Sequence, residues 1–112
     1  MKFPDLRELY LNNNEIKDIA VLDKVKFEKL QILCLNDNII ENIKVLEKVH
    51  FNELLELSLF NNNIIYIKYL RNFKIGKIEF FSLAGNNIAQ KQFTSTIKRM
   101  RNSIRNFHLN DN

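Results

Sequence analysis

Glycine occurs twice and proline once in 112 residues, so this chain has almost none of the punctuation that ordinary loops use. Another residue type has to turn it. The single cysteine, Cys34, cannot form an internal disulfide. That argues against a bridge-stapled extracellular scaffold and makes an intracellular setting, cytoplasmic or nuclear, the expectation. No run of about 18 apolar residues occurs, and the opening Met-Lys-Phe-Pro-Asp lacks the apolar stretch of a secretory signal, so neither a membrane span nor classical export is expected. What is present is ample material for a core: 46% of residues are apolar and 27% charged, which excludes an intrinsically disordered segment. The length fits one domain over residues 1–112.

Self-similarity at a fixed period decides the fold class. Leu6, Leu30, Leu54 and Ile78 recur every 24 residues, as do Leu9, Leu33, Leu57 and Phe81, and Leu11, Leu35, Leu59 and Leu83. Asn14, Asn38, Asn62 and Asn86 keep the same beat, followed two residues later by Ile16, Ile40, Ile64 and Ile88. After a spacing of 26, Ile104, Phe107, Leu109 and Asn112 begin a further copy. The units span about 3–26, 27–50, 51–74 and 75–100, with a partial one over 101–112.

Each column has a physical reading. Within LxxLxLxxN the apolar and polar residues alternate with period two, the signature of a short strand with one buried face. A strand that returns once per unit, with the return path between copies, can stack only as a parallel sheet. The expected product is a solenoid whose return segments form short helices or 3₁₀ turns. The asparagines, Asn14, Asn38, Asn62, Asn86 and Asn112, fall where each strand bends into its return, and their amides are expected to satisfy backbone groups of adjacent turns. In the fourth unit Phe93, Ile97 and Met100 are spaced i, i+4, i+7, which predicts one α-helix near residues 91 to 102.

These columns resemble the leucine-rich repeat, and the resemblance covers essentially the whole chain. It is closest in length and apolar pattern to intracellular members with 24-residue units. The resemblance implies a curved, right-handed solenoid whose parallel sheet lines the concave face, with short helices or 3₁₀ turns on the convex side, serving as a scaffold that binds a protein partner, without naming that partner. The chain departs from the family in having no recognisable caps: Phe3 already occupies a core column, and the last copy stops within its strand motif. Raw ends are a route to association, so a structural module that self-associates through its solenoid ends is the alternative reading.

Between the inward leucines lie the positions expected on the concave face. Tyr10, Ile32, Phe60 and Phe80 form the expected anchoring patch, because exposed aromatics on a rigid sheet bury large areas at little entropic cost. Glu8, Glu56, Asn12 and Asn36 are the expected polar selectors. Charge is unevenly shared: residues 1–65 hold 8 Lys/Arg against 11 Asp/Glu, whereas residues 66–112 hold 9 against 2. The basic block is read as a solvated outer face, with RNA or an acidic protein as a further alternative partner.

No catalytic, cofactor or metal site is expected. His50 and His108 lie in different units, no nucleophile and base recur together, and one cysteine with two distant histidines cannot build a zinc site. Ala84-Gly85-Asn86-Asn87 lacks the spacing and lysine of a phosphate loop, and Gly85 reads as a small residue at a turn.

Overall fold

The computed structural model of the chain describes residues 2–92 and 94–109. Five three-residue strands, β1 (Glu8–Tyr10), β2 (Ile32–Cys34), β3 (Glu56–Ser58), β4 (Phe80–Ser82) and β5 (Asn106–His108), form one sheet in chain order. Every neighbouring pair is parallel and in the register of the repeat, so Leu9, Leu33, Leu57, Phe81 and Phe107 stand side by side. The strands alternate with 3₁₀ turns at Ala20–Asp23, Lys44–Glu47, Lys68–Asn72 and Gln90–Gln92. This is the architecture of a leucine-rich-repeat solenoid segment.

The backbone ladder runs beyond the three-residue strands. The approaches to β2, β3 and β4 are each fixed by a doubly used carbonyl: Arg7 O accepts from the N–H groups of Gln31 and Ile32, Gln31 O from Leu55 and Glu56, and Leu55 O from Glu79 and Phe80. Past the strand, the N–H groups of Leu11, Leu35, Leu59 and Leu83 donate to the carbonyls of Cys34, Ser58, Ser82 and His108. Inside the coil the apolar columns close-pack. Leu33, Leu35, Ile40, Ile43, Leu57, Leu59, Ile64 and Leu70 are buried, and Phe81 packs tilted against Phe73 and Phe107 with ring centroids 5.7 and 5.6 Å away.

The bend at the end of each strand is made by the residue before the asparagine column. Asn13, Asp37 and Asn61 hold φ of 60°, 57° and 57°, and Gly85 holds 71° in the same register. Asn and Asp enter this left-handed region more readily than other side-chain-bearing residues, which is how a chain with two glycines turns at every repeat. The asparagines that follow do different work. Asn62 accepts the Ile40 N–H on Oδ1 at 3.0 Å, and its Nδ2 donates to the carbonyls of Leu35 and Leu59, both at 3.1 Å. Asn38 and Asn86 repeat the pattern, taking the N–H groups of Ile16 and Ile64 and donating to Leu11 and Leu35, and to Leu59 and Leu83. Each therefore ties its own turn to the preceding one. Asn14 is exposed, and its amide donates only to the Leu11 and Asn12 carbonyls of its own turn. Asn112 lies outside the described residues.

Two local expectations shift. The helix, α1, spans Ser95–Ser103 instead of beginning near residue 91, and Phe93 lies outside the described residues. The reason sits in Gln92: its Oε1 accepts the Ile67 N–H at 3.1 Å and its Nε2 donates to the Ile65 carbonyl at 2.6 Å, which pins residues 90–92 to the preceding turn as a 3₁₀ segment. The helix then buries Ile97 and Met100. In the first turn Leu6, Leu9, Leu11 and Ile16 are only half-buried and Phe3 is exposed, although Phe3 stacks on Phe27 at 5.8 Å. Among the described residues no helix is long and apolar enough to cross a membrane.

Candidate functional site

Because side chains alternate across a strand, the buried Leu9, Leu33, Leu57 and Phe81 force their neighbours onto the opposite face of the sheet. The register arranges that face in rows running across the strands. One row reads Glu8, Ile32, Glu56, Phe80, Asn106; the next reads Tyr10, Cys34, Ser58, Ser82, His108. Asn12, Asn36, Phe60 and Ala84 follow, two residues further along each unit.

The structure brings the expected anchors onto one face but not into one apolar patch. Ile32 and Phe80 share a row in which Glu8 and Glu56 alternate with them, and with strands about 4.8 Å apart the two carboxylates stand about 10 Å from each other. Tyr10 is 56% exposed at one corner and Phe60 is 42% exposed at another. Phe80 is half-buried, its ring tilted against the His108 imidazole at 5.4 Å. Ser82 and Ala84 are buried. Phe60 is held over Gly85: a Cβ there would stand 3.3 Å from its Cε1 and 3.1 Å from Asn61 N.

The polar selectors divide in the same way. Glu8 accepts a hydrogen bond from the Tyr10 hydroxyl at 3.1 Å. Glu56 is exposed, and neither carboxylate has a cationic partner among the described residues; the ion pairs formed are Lys29 with Asp5 and Lys77 with Glu53. Partial burial, the hydrogen bond to Glu8 and the charges of Glu8 and Glu56 together raise the Tyr10 phenol above its ordinary value. Asn12 is exposed. Asn36 is committed to the next turn: its Oδ1 accepts from the Ser58 hydroxyl and, at 2.7 Å, from the Phe60 N–H, so that oxygen ties the ends of β2 and β3 together. Asn61 Nδ2 likewise donates to Asp37 Oδ1 at 2.7 Å, a cross-turn bond the sequence pattern did not single out.

The basic block falls mostly on the other side of the coil. Lys68, Arg71 and Lys91 line a cleft of about 540 Å³ between the third 3₁₀ turn and the start of α1, together with Thr94 and Ser95. The Arg99 guanidinium donates to the Leu70 carbonyl at 3.3 Å, and Lys77 is engaged by Glu53 at 2.8 Å. His50 is exposed after the second 3₁₀ turn, whereas His108 lies in β5. Cys34 is a free, half-buried thiol between Tyr10 and Ser58. Gln92 is the residue that pattern reading missed. Its signal was a gap: Asp18 and Asn42 cap the first two 3₁₀ turns through the Ala20 and Lys44 N–H groups, both at 2.8 Å, and Tyr66 stands in their place in the third.

A parallel sheet extended by one strand per turn, with its apolar columns inside and an open face of mixed acids and aromatics, defines the molecule as a solenoid repeat protein. The family comparison agrees for the first part of the chain: residues 4–48 match the model described as Leucine Rich repeats (2 copies), so that segment carries leucine-rich repeats, a module that generally serves protein interaction. The same columns continue through the strands that follow the matched segment. No curated protein matches the chain.

Proposed function

We propose that this chain is a non-enzymatic, intracellular scaffold, one domain over residues 1–112, that binds a protein partner through the exposed face of its sheet. Tyr10, Ile32, Phe60 and Phe80 are the anchors and Glu8, Glu56, Asn12 and Asn36 the selectors, with Asn36 also accepting the Phe60 N–H of the next turn. The observation that carries this reading is the pair of exposed aromatics, Tyr10 and Phe60, on a sheet whose backbone is bonded from turn to turn. A surface already ordered loses little freedom on binding, and aromatic side chains supply most of the energy of such contacts. The test is affinity capture with the wild-type chain against Phe60→Ala/Phe80→Ala, each checked for an unchanged circular dichroism spectrum. Partners lost by the folded double variant support the reading; an identical set of partners refutes it.

A second reading, self-association through the first turn, has the exposed Phe3 and the half-buried Leu6, Leu9, Leu11 and Ile16 in its favour. Light scattering behind a sizing column decides it: a molar mass that rises with protein concentration supports association, and a constant monomer mass rejects it.

A further inference from the structure

Resting on the sheet face as a binding surface, the chemistry of its occupant can be specified. The three rows of that face together with the neighbouring Asp37 hold the carboxylates of Glu8, Asp37 and Glu56, and no lysine or arginine among the described residues. Glu8 and Glu56 carry no compensating cation, although 17 Lys and Arg outnumber 13 Asp and Glu in the chain as a whole. The nearest cations along the chain, Arg7 and Arg105, precede β1 and β5 and stand outside these three rows. The Tyr10 hydroxyl donates to Glu8 at 3.1 Å, and its phenol is raised first by burial and then by that bond and the charges of Glu8 and Glu56. Next to them stand Ile32 and Phe80 in the same row and Phe60 beyond, so acid and apolar contacts alternate across the strands.

We propose that the occupant of this face is an extended, positively charged peptide segment, its cationic side chains set against Glu8 and Glu56 and its apolar side chains against Ile32, Phe80 and Phe60. It cannot join as a strand within the face, because the inner strands are already paired on both edges, so recognition runs through side chains. The carboxylates, about 10 Å apart across two strand spacings, match the repeat of a polyproline II segment, which brings residues i and i+3 onto one side about 9 Å apart. Aromatic rings beside the carboxylates add cation–π attraction for an arginine, which a neutral side chain would not receive.

The test uses the full chain and three fluorescein-labelled peptides read by anisotropy at low ionic strength. The first is proline-spaced, with a central leucine and two arginines three residues apart; the second replaces both arginines by citrulline, and the third by glutamate. Expected is an arginine peptide that binds about tenfold more tightly than the citrulline one, two exposed charge pairs each strengthening binding about threefold. Glu8→Gln/Glu56→Gln should abolish that preference, whereas Glu28→Gln/Glu41→Gln, which removes the same charge elsewhere, should keep it. No binding of the arginine peptide up to about 1 mM, the weak end of the affinity scale, overturns the proposal. So does equal affinity for arginine and citrulline, or equal loss in the two double variants. A citrulline peptide that binds as well and is lost in Phe60→Ala/Phe80→Ala overturns the charge assignment while leaving the scaffold reading standing. Preference for the glutamate peptide overturns it in favour of the cleft lined by Lys68, Arg71 and Lys91.

Discussion

Replacing Asn62 by leucine isolates the bond that ties one turn to the one before. Asn62 is 5% exposed and bonds both to its own turn and to the preceding one. The carbonyls it serves are not orphaned by its loss, because Leu35 O also accepts from Asn38 and Leu59 O from Asn86. The group left alone is the buried Ile40 N–H. One unsatisfied buried donor costs about 1–3 kcal/mol, which for a chain of this size lowers the melting temperature by roughly 4–12 °C. Asn14→Leu is the control, since Asn14 is exposed and bonds only within its own turn; its cost should stay below about 1 kcal/mol. Thermal melting by circular dichroism gives the difference, and amide exchange locates it, with the Ile40 N–H losing protection in Asn62→Leu alone. Equal melting shifts in the two variants, or an Ile40 amide that exchanges as slowly as before, would refute the reasoning.

The glycines offer a second comparison. Gly85→Ala combines a positive φ with a Cβ pressed against the Asn61 backbone and Phe60, so it should cost more than the roughly 1–2 kcal/mol of left-handed strain alone, whereas Gly76→Ala meets open space and carries only that strain; urea titration measures both. The bond from Lys77 holds the Glu53 carboxyl below its ordinary value. A lowered folded value contributes stability that is present above the unfolded value and lost as pH falls through the folded one, so Lys77→Ala should raise the Glu53 midpoint in an NMR pH titration. An unmoved midpoint would show that the pair does not persist in solution. Tyr10 runs the other way: its raised phenol favours the fold below the ordinary tyrosine value and ceases to do so as pH climbs through the folded one. Glu8→Gln should therefore lower the Tyr10 midpoint, read as the absorbance titration that Tyr10→Phe removes.

The sheet register was legible because two independent periods agree in the residues themselves. Leu9 and Leu11 mark the alternation within a strand, and Leu33, Leu57 and Phe81 repeat it every 24 positions, so strand pairing needs no further information. The helix start was less legible. Apolar spacing around Ile97 and Met100 locates the helix, but its beginning depends on Gln92 reaching back to Ile65 and Ile67, a bond between residues 25 and 27 positions apart. The same holds for the face. That Tyr10, Ile32, Phe60 and Phe80 lie on one side follows from alternation, whereas the place of Phe60 depends on Gly85 in the next turn, and the engagement of Asn36 depends on Ser58. The turn itself lies one residue away from where the sequence pattern puts it: the asparagine column reads as the bend, whereas the left-handed residues are Asn13, Asp37, Asn61 and Gly85 just before it, since composition alone does not say which of two adjacent residues bends and which binds.

The bonds of Asn38, Asn62 and Asn86 always reach 22 and 27 residues back, whatever side chains the unit displays outside. A gene that loses or duplicates one 24-residue unit here restores the same bonds at the new junction. Binding rows can thereby move apart or together in steps of one strand, about 4.8 Å, without the core being rebuilt. Length in such a chain is a coarse dial for specificity, and substitution at Glu8, Ile32, Glu56 or Phe80 is the fine one.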